Sequence, residues 1–390
     1  MTAITLSHKI RLVPTNSQED YFRRACGVAR FTYNWALDEW KKQYDAGKKP
    51  NALALKKQFN AIKPHAFPWI YEVTKYASQQ PFFFLQNAFQ RFFKKQARYP
   101  QFKRKGVHDS FYVGNDQLKV EGDRIRLPKL GWVRMREVLR FGGKILAATV
   151  SRIANQWYVS LHVELAQPPK PCENQASVGV DLGINTLATL FDGHATQKIE
   201  GAKPLRKALK RLKRMQRRLS RKVKGANNRH KQRMRVARLH ARIRFVRQDA
   251  LHKLTTKLAQ NYACIVLEDL NVKGMMANHR LARHIADMGF YEFRRQLEYK
   301  AKLYGSHIEV ADRWFPSSKR CSCCGEINHD LTLKDRLFHC GSCDLSMDRD
   351  ENAARNLLNT VSSTEFQACG EEGAGSSICL SETGLCEAGI

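Results

Sequence analysis

Acidic residues are scarce in this chain, and the scarcity is local. Residues 203–248 contain no Asp or Glu, while 20 Lys and Arg crowd the same stretch. Like charges at i, i+4 spacing destabilise an isolated helix. A merely solvated face is therefore disfavoured, and bound phosphates would relieve the repulsion. The opposite absence marks residues 361–390, which hold five Glu and no Lys or Arg. The other 360 residues carry 67 cations against 31 acids, +36, within a net charge of +31 over 390 residues. An extended polyanion is the partner that fits. No apolar run reaches the ~18 residues of a membrane span, so no membrane partner is expected. Met1–Leu12 lacks the apolar core of a secretory leader. The eleven cysteines include two CxxC pairs within a basic chain, which points to metal binding inside the cell rather than a secreted disulfide frame.

What is present can build a core. Apolar residues make up 43% of the chain, and its length suits two or three domains. Ile4, Leu6, Ile10 and Leu12 alternate with polar residues and predict a half-buried strand. Pro14 to Ser17 then read as a turn and helix cap, and helices are expected through 15–98. Phe82, Phe83, Phe84, Phe89, Phe92 and Phe93 are ordinarily helix core; the cations among them favour a lobe that touches nucleic acid. Short alternating segments over 99–170 predict an antiparallel β-barrel or sandwich, joined by the first strand. Gln167-Pro-Pro-Lys-Pro171 reads as a linker. Within 203–258, leucines at helical spacing and the break at Gly225 to Asn228 predict two antiparallel helices, one face apolar and the other cationic.

Three segments carry acids that suit chemistry. Ser177-Val-Gly-Val-Asp181 is an apolar strand ending in an acid between glycines. Cys264 to Leu267 is a buried strand with Glu268 at its C-terminal end. Asp348-Arg-Asp350 opens a late helix, with Asp350 in its first turn, where a carboxylate also suits the helix dipole. Singly, these acids have ordinary roles: bonding backbone amides, ending a strand in solvent, capping a helix. Together they follow the chain order of an RNase H-like site. Hard cations such as Mg²⁺ take oxygen ligands, and two such ions can serve phosphodiester hydrolysis.

Cys321-x-x-Cys324 and Cys340-x-x-Cys343 stand fifteen residues apart, the spacing of a four-cysteine zinc ribbon. Four thiolates leave no open coordination position, so the expected zinc is structural. Cys323 is an extra thiol inside the first knuckle, and the outer pair is expected to bind.

The combination resembles the TnpB family, RNA-guided nucleases of bacterial insertion sequences related to type V CRISPR effectors. The matching stretches are Gly179-Val-Asp-Leu-Gly183, Val266-Leu-Glu-Asp-Leu270, Phe315-Pro-Ser-Ser-Lys319, both knuckles and Asp348-Arg-Asp-Glu-Asn-Ala-Ala354. Pro14-Thr-Asn-Ser-Gln18, Gly27, Arg30, Asn34, Phe102-Lys-Arg-Lys105 and Leu127-Pro-Lys-Leu-Gly-Trp132 also fit. Asn185 departs from the family, many members of which carry Lys there.

The resemblance implies a multidomain α+β chain. A wedge-like β-barrel would comprise 1–14 and 99–170, with a helical recognition lobe, 15–98, inserted in it. A RuvC-like nuclease domain would comprise 175–320 and 344–360, with the zinc ribbon 321–343 inserted. Residues 361–390 would be a disordered acidic tail whose composition reflects overlap of the gene's end with guide-RNA sequence. Asp181, Glu268 and Asp350 would be the catalytic, Mg²⁺-binding triad, serving two ions. Guide RNA and target double-stranded DNA would be the partners. Lys75, Tyr76, Gln79, Lys103, Arg104, Lys210, Arg214, Arg217 and Arg221 are the candidate nucleic-acid contacts. A monomer acting in the prokaryotic cytoplasm, at the nucleoid, is expected. Two other classes stay open: a nuclease-inactive RNA-guided DNA-binding regulator, and a transposase performing strand transfer.

Overall fold

The computed structural model describes residues 4–167, 169–332 and 334–362. The expected acidic tail therefore lies outside the described residues, apart from Val361 and Ser362. The described chain divides into two compact units, residues 4–167 and 169–362.

In the first unit, β1 (Thr5–Val13) leads into α1 (Asn16–Asp45), α2 (Ala52–Ala66) and α3 (Lys75–Phe93). Thr15 starts α1 with a full capping box: its hydroxyl accepts from the Gln18 amide while the Gln18 side chain accepts from the Thr15 amide. Six strands follow: β2 (Ser110–Gly114), β3 (Lys119–Glu121), β4 (Arg124–Leu127), β5 (Gly131–Met135), β6 (Gly143–Ile153) and β7 (Gln156–Leu165). Phe22 of α1 packs on Trp157 of β7 with ring centroids 5.0 Å apart, so helices and sheet share one core. Phe82 and Phe89 are buried in it, whereas Phe84 and Phe93 are exposed.

The strand order is β2-β6-β7-β1-β5-β4-β3. The expected β-barrel is corrected here: among the described strands β2 and β3 do not pair, and the sheet stays open. Its pairing changes at two places. Thr5–Arg11 of β1 pairs with β7, then Leu12 and Val13 pair with β5. The β6–β7 register also slips between Ile145 and Ala147.

In the second unit, β8 (Ser177–Asp181), β9 (Ala188–Phe191) and β10 (Thr196–Ile199) are followed by α4 (Pro204–Ser220) and α5 (Asn227–Asn261). Next come β11 (Cys264–Glu268), α6 (Val272–Ala277), α7 (Ala282–Met288), α8 (Phe290–Tyr304) and β12 (His307–Ala311). The sheet order is β10-β9-β8-β11-β12, with β8, β11 and β12 parallel. Alternation along β11 divides its two faces. Ile265 and Leu267 pack with Leu251, Leu254 and Leu258 of α5 and Phe290, Phe293 and Leu297 of α8. On the opposite face, Cys264 and Val266 pack with Leu357 and Val361. Lys300 of α8 buries its ammonium against α5, donating to the His252 carbonyl and the Thr255 and Thr256 hydroxyls, each at 2.8 Å. Burial, then the Lys300 charge, presses His252 down to about 4.

The unit ends with β13 (Leu337–His339), β14 (Ser346–Asp348) and α9 (Arg349–Ser362). β13 and β14 pair antiparallel with the second cysteine knuckle between them. The ribbon hairpin thus runs to Asp348, past the residue 343 expected from cysteine spacing, because the knuckle is the turn and needs both strands.

Candidate active site and metal centre

Parallel pairing places the first two acids together. β8 and β11 are in register as far as Val180 and Leu267, and Asp181 and Glu268 are each the next residue. Both therefore stand at the C-terminal edge of the sheet, where open α/β sheets gather ligands. The third acid arrives on α9, which crosses β8 at Gly179. A Cβ there would lie 2.0 Å from the Ala354 carbonyl oxygen and 2.8 Å from the Leu358 nitrogen. Only glycine permits that approach. One turn before Ala354 lies Asp350, and its Oδ2 lies 4.0 Å from where a Gly183 Cβ would be.

The electrostatics show the convergence. Loss of water, then the negative charges of Glu268 and Asp350, hold Asp181 well above the usual carboxylate range. Burial pushes Glu268 up as well, and Asp350 adds to it, although the Ser317 hydroxyl donates to Glu268 Oε1 and acts the other way. The carboxylate oxygens are not gathered as tightly as the cysteine sulfurs: among the described residues, only the four-cysteine set brings three or more such ligand atoms all within 4.8 Å.

The ordinary roles of the acids fall to their neighbours. Asp348 caps α9, its Oδ1 accepting from the Asp350 and Glu351 amides at 3.1 and 3.2 Å, and its Oδ2 pairs with Lys198 at 2.7 Å. Partial burial would raise Asp348, but the Lys198 bond and the two amides keep it low. Asp269 binds Arg294 and Arg313, which hold it below its usual range. Asp350 makes a 3.5 Å contact with Arg349 and no capping bond. The helix start is therefore served without Asp350, whose ion-pair partner is Arg349, and Glu268 accepts from the Ser317 hydroxyl.

The four cysteines form a compact cage. Sγ–Sγ distances are 3.6 Å for Cys321–Cys343 and 3.5 Å for Cys324–Cys340. A tetrahedral ion with Zn–S bonds of about 2.3 Å needs sulfurs about 3.8 Å apart, so the set fits zinc. Hydrogen bonds from the Ser342 and Cys343 amides bring Cys340 down to about 6. Cys323 donates its amide to Cys321 Sγ at 3.4 Å, and its own thiol is not in the cage.

The basic block folds as the expected hairpin. Leu205, Leu212, Met215 and Leu219 of α4 pack on Val236, Leu239 and Ile243 of α5. Lys210, Arg214, Arg217 and Arg221 are exposed and have no acidic partner among the described residues. Asp287 of α7, which no sequence signal marked, accepts from the Leu205 and Arg206 amides at 2.9 Å each and so fixes the start of α4. In the first unit, Lys75 and Tyr76 are both engaged by Asp116, at 2.7 and 2.6 Å. Gln79 is half-buried, one turn along the helix. Lys103 exchanges backbone bonds with the Asn34 side chain and sets its ammonium 4.1 Å from the Tyr33 ring centre, while Arg104 is exposed.

Three family models match: a probable transposase model, OrfB_IS605, over residues 160–279, a Cas12f1-like TNB domain over 290–357, and a helix-turn-helix domain over 1–49. Over the last stretch the structure has one strand and one 30-residue helix rather than two short helices. A protein of Escherichia coli (strain K12) named "Putative RNA-guided DNA endonuclease InsQ" is 36% identical over 385 residues, covering 93% of each chain. The chain belongs to the TnpB family. A Streptomyces pristinaespiralis relative, also named as an RNA-guided DNA endonuclease, is 37% identical over 95% of this chain and 92% of its own. Among solved structures, CasPhi-2 (Cas12j) bound to crRNA aligns over 92% of this chain and 98% of its own at 11% identity, TM-score 0.47. That likeness is too loose to carry fold detail.

Proposed function

We propose that this TnpB-family chain is an RNA-guided DNA endonuclease, with Asp181, Glu268 and Asp350 as its catalytic carboxylates. One observation carries the reading: three acids from β8, β11 and α9 converge at one sheet edge, and two are driven toward protonation by burial and mutual repulsion. Such a cluster is stable as anions only with cations among it. Oxygen donors fit Mg²⁺. When bound, it would supply positive charge beside the scissile phosphodiester and lower the pKa of an attacking water. Asp348 caps the helix and Asp269 takes two arginines, so neither duty falls on the triad.

Zn²⁺ would occupy the Cys321, Cys324, Cys340 and Cys343 cage as a structural ion. The α4–α5 hairpin, with Lys210, Arg214, Arg217 and Arg221, would hold RNA and DNA backbones, while guide pairing supplies sequence choice. Lys103 and Arg104 would add backbone contacts. Lys75 and Tyr76 would first have to exchange Asp116 for a base edge, with Gln79 beside them.

Target DNA cleavage in Mg²⁺, with the RNA that copurifies, tests this reading. Asp181→Ala should abolish cutting and leave RNA binding unchanged; cutting that persists refutes the site. The family's transposase description keeps strand transfer as a second reading, and joined products in the same assay would favour it.

A further inference from the structure

The strap between β12 and the first cysteine knuckle touches both metal sites. At one end, the Ser317 hydroxyl donates to Glu268 Oε1. At the other, Arg320 is followed directly by Cys321. Two buried asparagines of α9 hold the strap between these points. Asn356 donates to the Ser317 and Arg320 carbonyls at 2.7 and 2.6 Å. Asn352 donates to the same Arg320 carbonyl at 2.7 Å and accepts from the Ser322 amide at 3.0 Å. Asn352, Asn356 and Ser317 are each at most 3% exposed. Asp350 lies two residues before Asn352 on the same helix.

We infer that the zinc knuckle positions the cation site: a loaded four-cysteine cage fixes the strap, and the strap holds Glu268 through Ser317. Ser317 and Asn356 are positioning residues. The inference rests on Glu268 belonging to the cation site. The strap acts as a brace held along its length by Asn352 and Asn356 and anchored at its far end by the knuckle. A satisfied buried network of this kind constrains its members strongly, and a broken one leaves buried carbonyls unpaired. Groups that orient a metal ligand without touching the metal typically change affinity about 10–100-fold when removed.

The test titrates Mg²⁺ into the full chain, free of nucleic acid, and follows the melting temperature, so it reads metal binding whether or not DNA is cut. Ser317→Ala should raise the Mg²⁺ midpoint about tenfold, keep its zinc, and regain its cleavage rate at saturating Mg²⁺. Stripping zinc from the wild type with a chelator should raise the midpoint by a similar factor. Stripping zinc from Ser317→Ala should add little, because the link is already cut. Asn356→Leu should release zinc faster to a chromogenic chelator; if that variant does not fold, Ser317→Ala and zinc stripping decide. An unchanged midpoint in folded, zinc-stripped wild type overturns the coupling, as do two effects that simply multiply. A midpoint indifferent to Asp181→Ala overturns the site assignment and the coupling with it.

Discussion

The second unit holds two clusters of side chains of metal-ligating type, gathered to different degrees. The cysteine cage is already gathered: its sulfurs lie within 4.8 Å of one another, backbone amides bring Cys340 down to about 6, and, against the Leu345 amide, burial and the neighbouring thiols push Cys343 up to about 12. The carboxylates form no such set of three among the described residues, and burial with neighbouring negative charge pushes Asp181 and Glu268 up. A gathered cage suits an ion that stays for the life of the fold. A repelling cluster suits ions recruited for chemistry, because their charge relieves a cost that the fold carries without them.

That contrast is broken most severely by removing a triad acid. Glu268→Gln or Asp350→Asn should lower Mg²⁺-dependent cleavage at least about 1,000-fold with folding intact, checked by cleavage kinetics beside circular dichroism. Next in size is the cage: Cys340→Ser should lose zinc and lower the melting temperature of the full chain, read by metal content and calorimetry. The basic hairpin should respond in a third, graded way. Replacing Lys210, Arg214, Arg217 and Arg221 by Ala should flatten the log–log salt dependence of RNA binding by about 0.7–0.9 for each phosphate no longer neutralised, with triad chemistry retained. An unchanged slope would remove these four from the interface.

The smallest expected effect lies outside both clusters. His252 is held at about 4 in the fold against an ordinary value of 6.5, so the unfolded chain binds its proton first. It should cost stability progressively as pH falls from 6.5 toward 4. His252→Gln should flatten that window in pH-dependent melting and leave pH 8 stability nearly unchanged.

Much of this was legible where the pattern was local. The strands ending in Asp181 and Glu268, the helical pair around Gly225 and the cysteine spacing each follow from short stretches of sequence. What stayed hidden was contact between distant stretches. β1 pairs with β7 as far as Arg11 and with β5 from Leu12, which alternation cannot reveal. Gly179 reads only as a small residue in the strand before Asp181, and its purpose appears when α9 is seen crossing it. Asp348 and Asp350 are equal candidates for the helix cap in sequence, and only backbone hydrogen bonds give the cap to Asp348. Ser317 lies in a stretch that resembles the family, yet its bond to Glu268 spans 49 residues of chain.

The central claim is that the carboxylate cluster is costly without a cation and is stabilised by one. Asp181 sits well above its unfolded value, so at neutral pH its charge opposes folding. The most direct measurement is the melting temperature of wild type and Asp181→Asn at pH 7.5, each with and without Mg²⁺. The account predicts that Asp181→Asn melts higher than wild type in EDTA and gains little from Mg²⁺, while wild type rises with Mg²⁺. A variant that melts lower in EDTA, or that gains as much from Mg²⁺ as wild type, would contradict it.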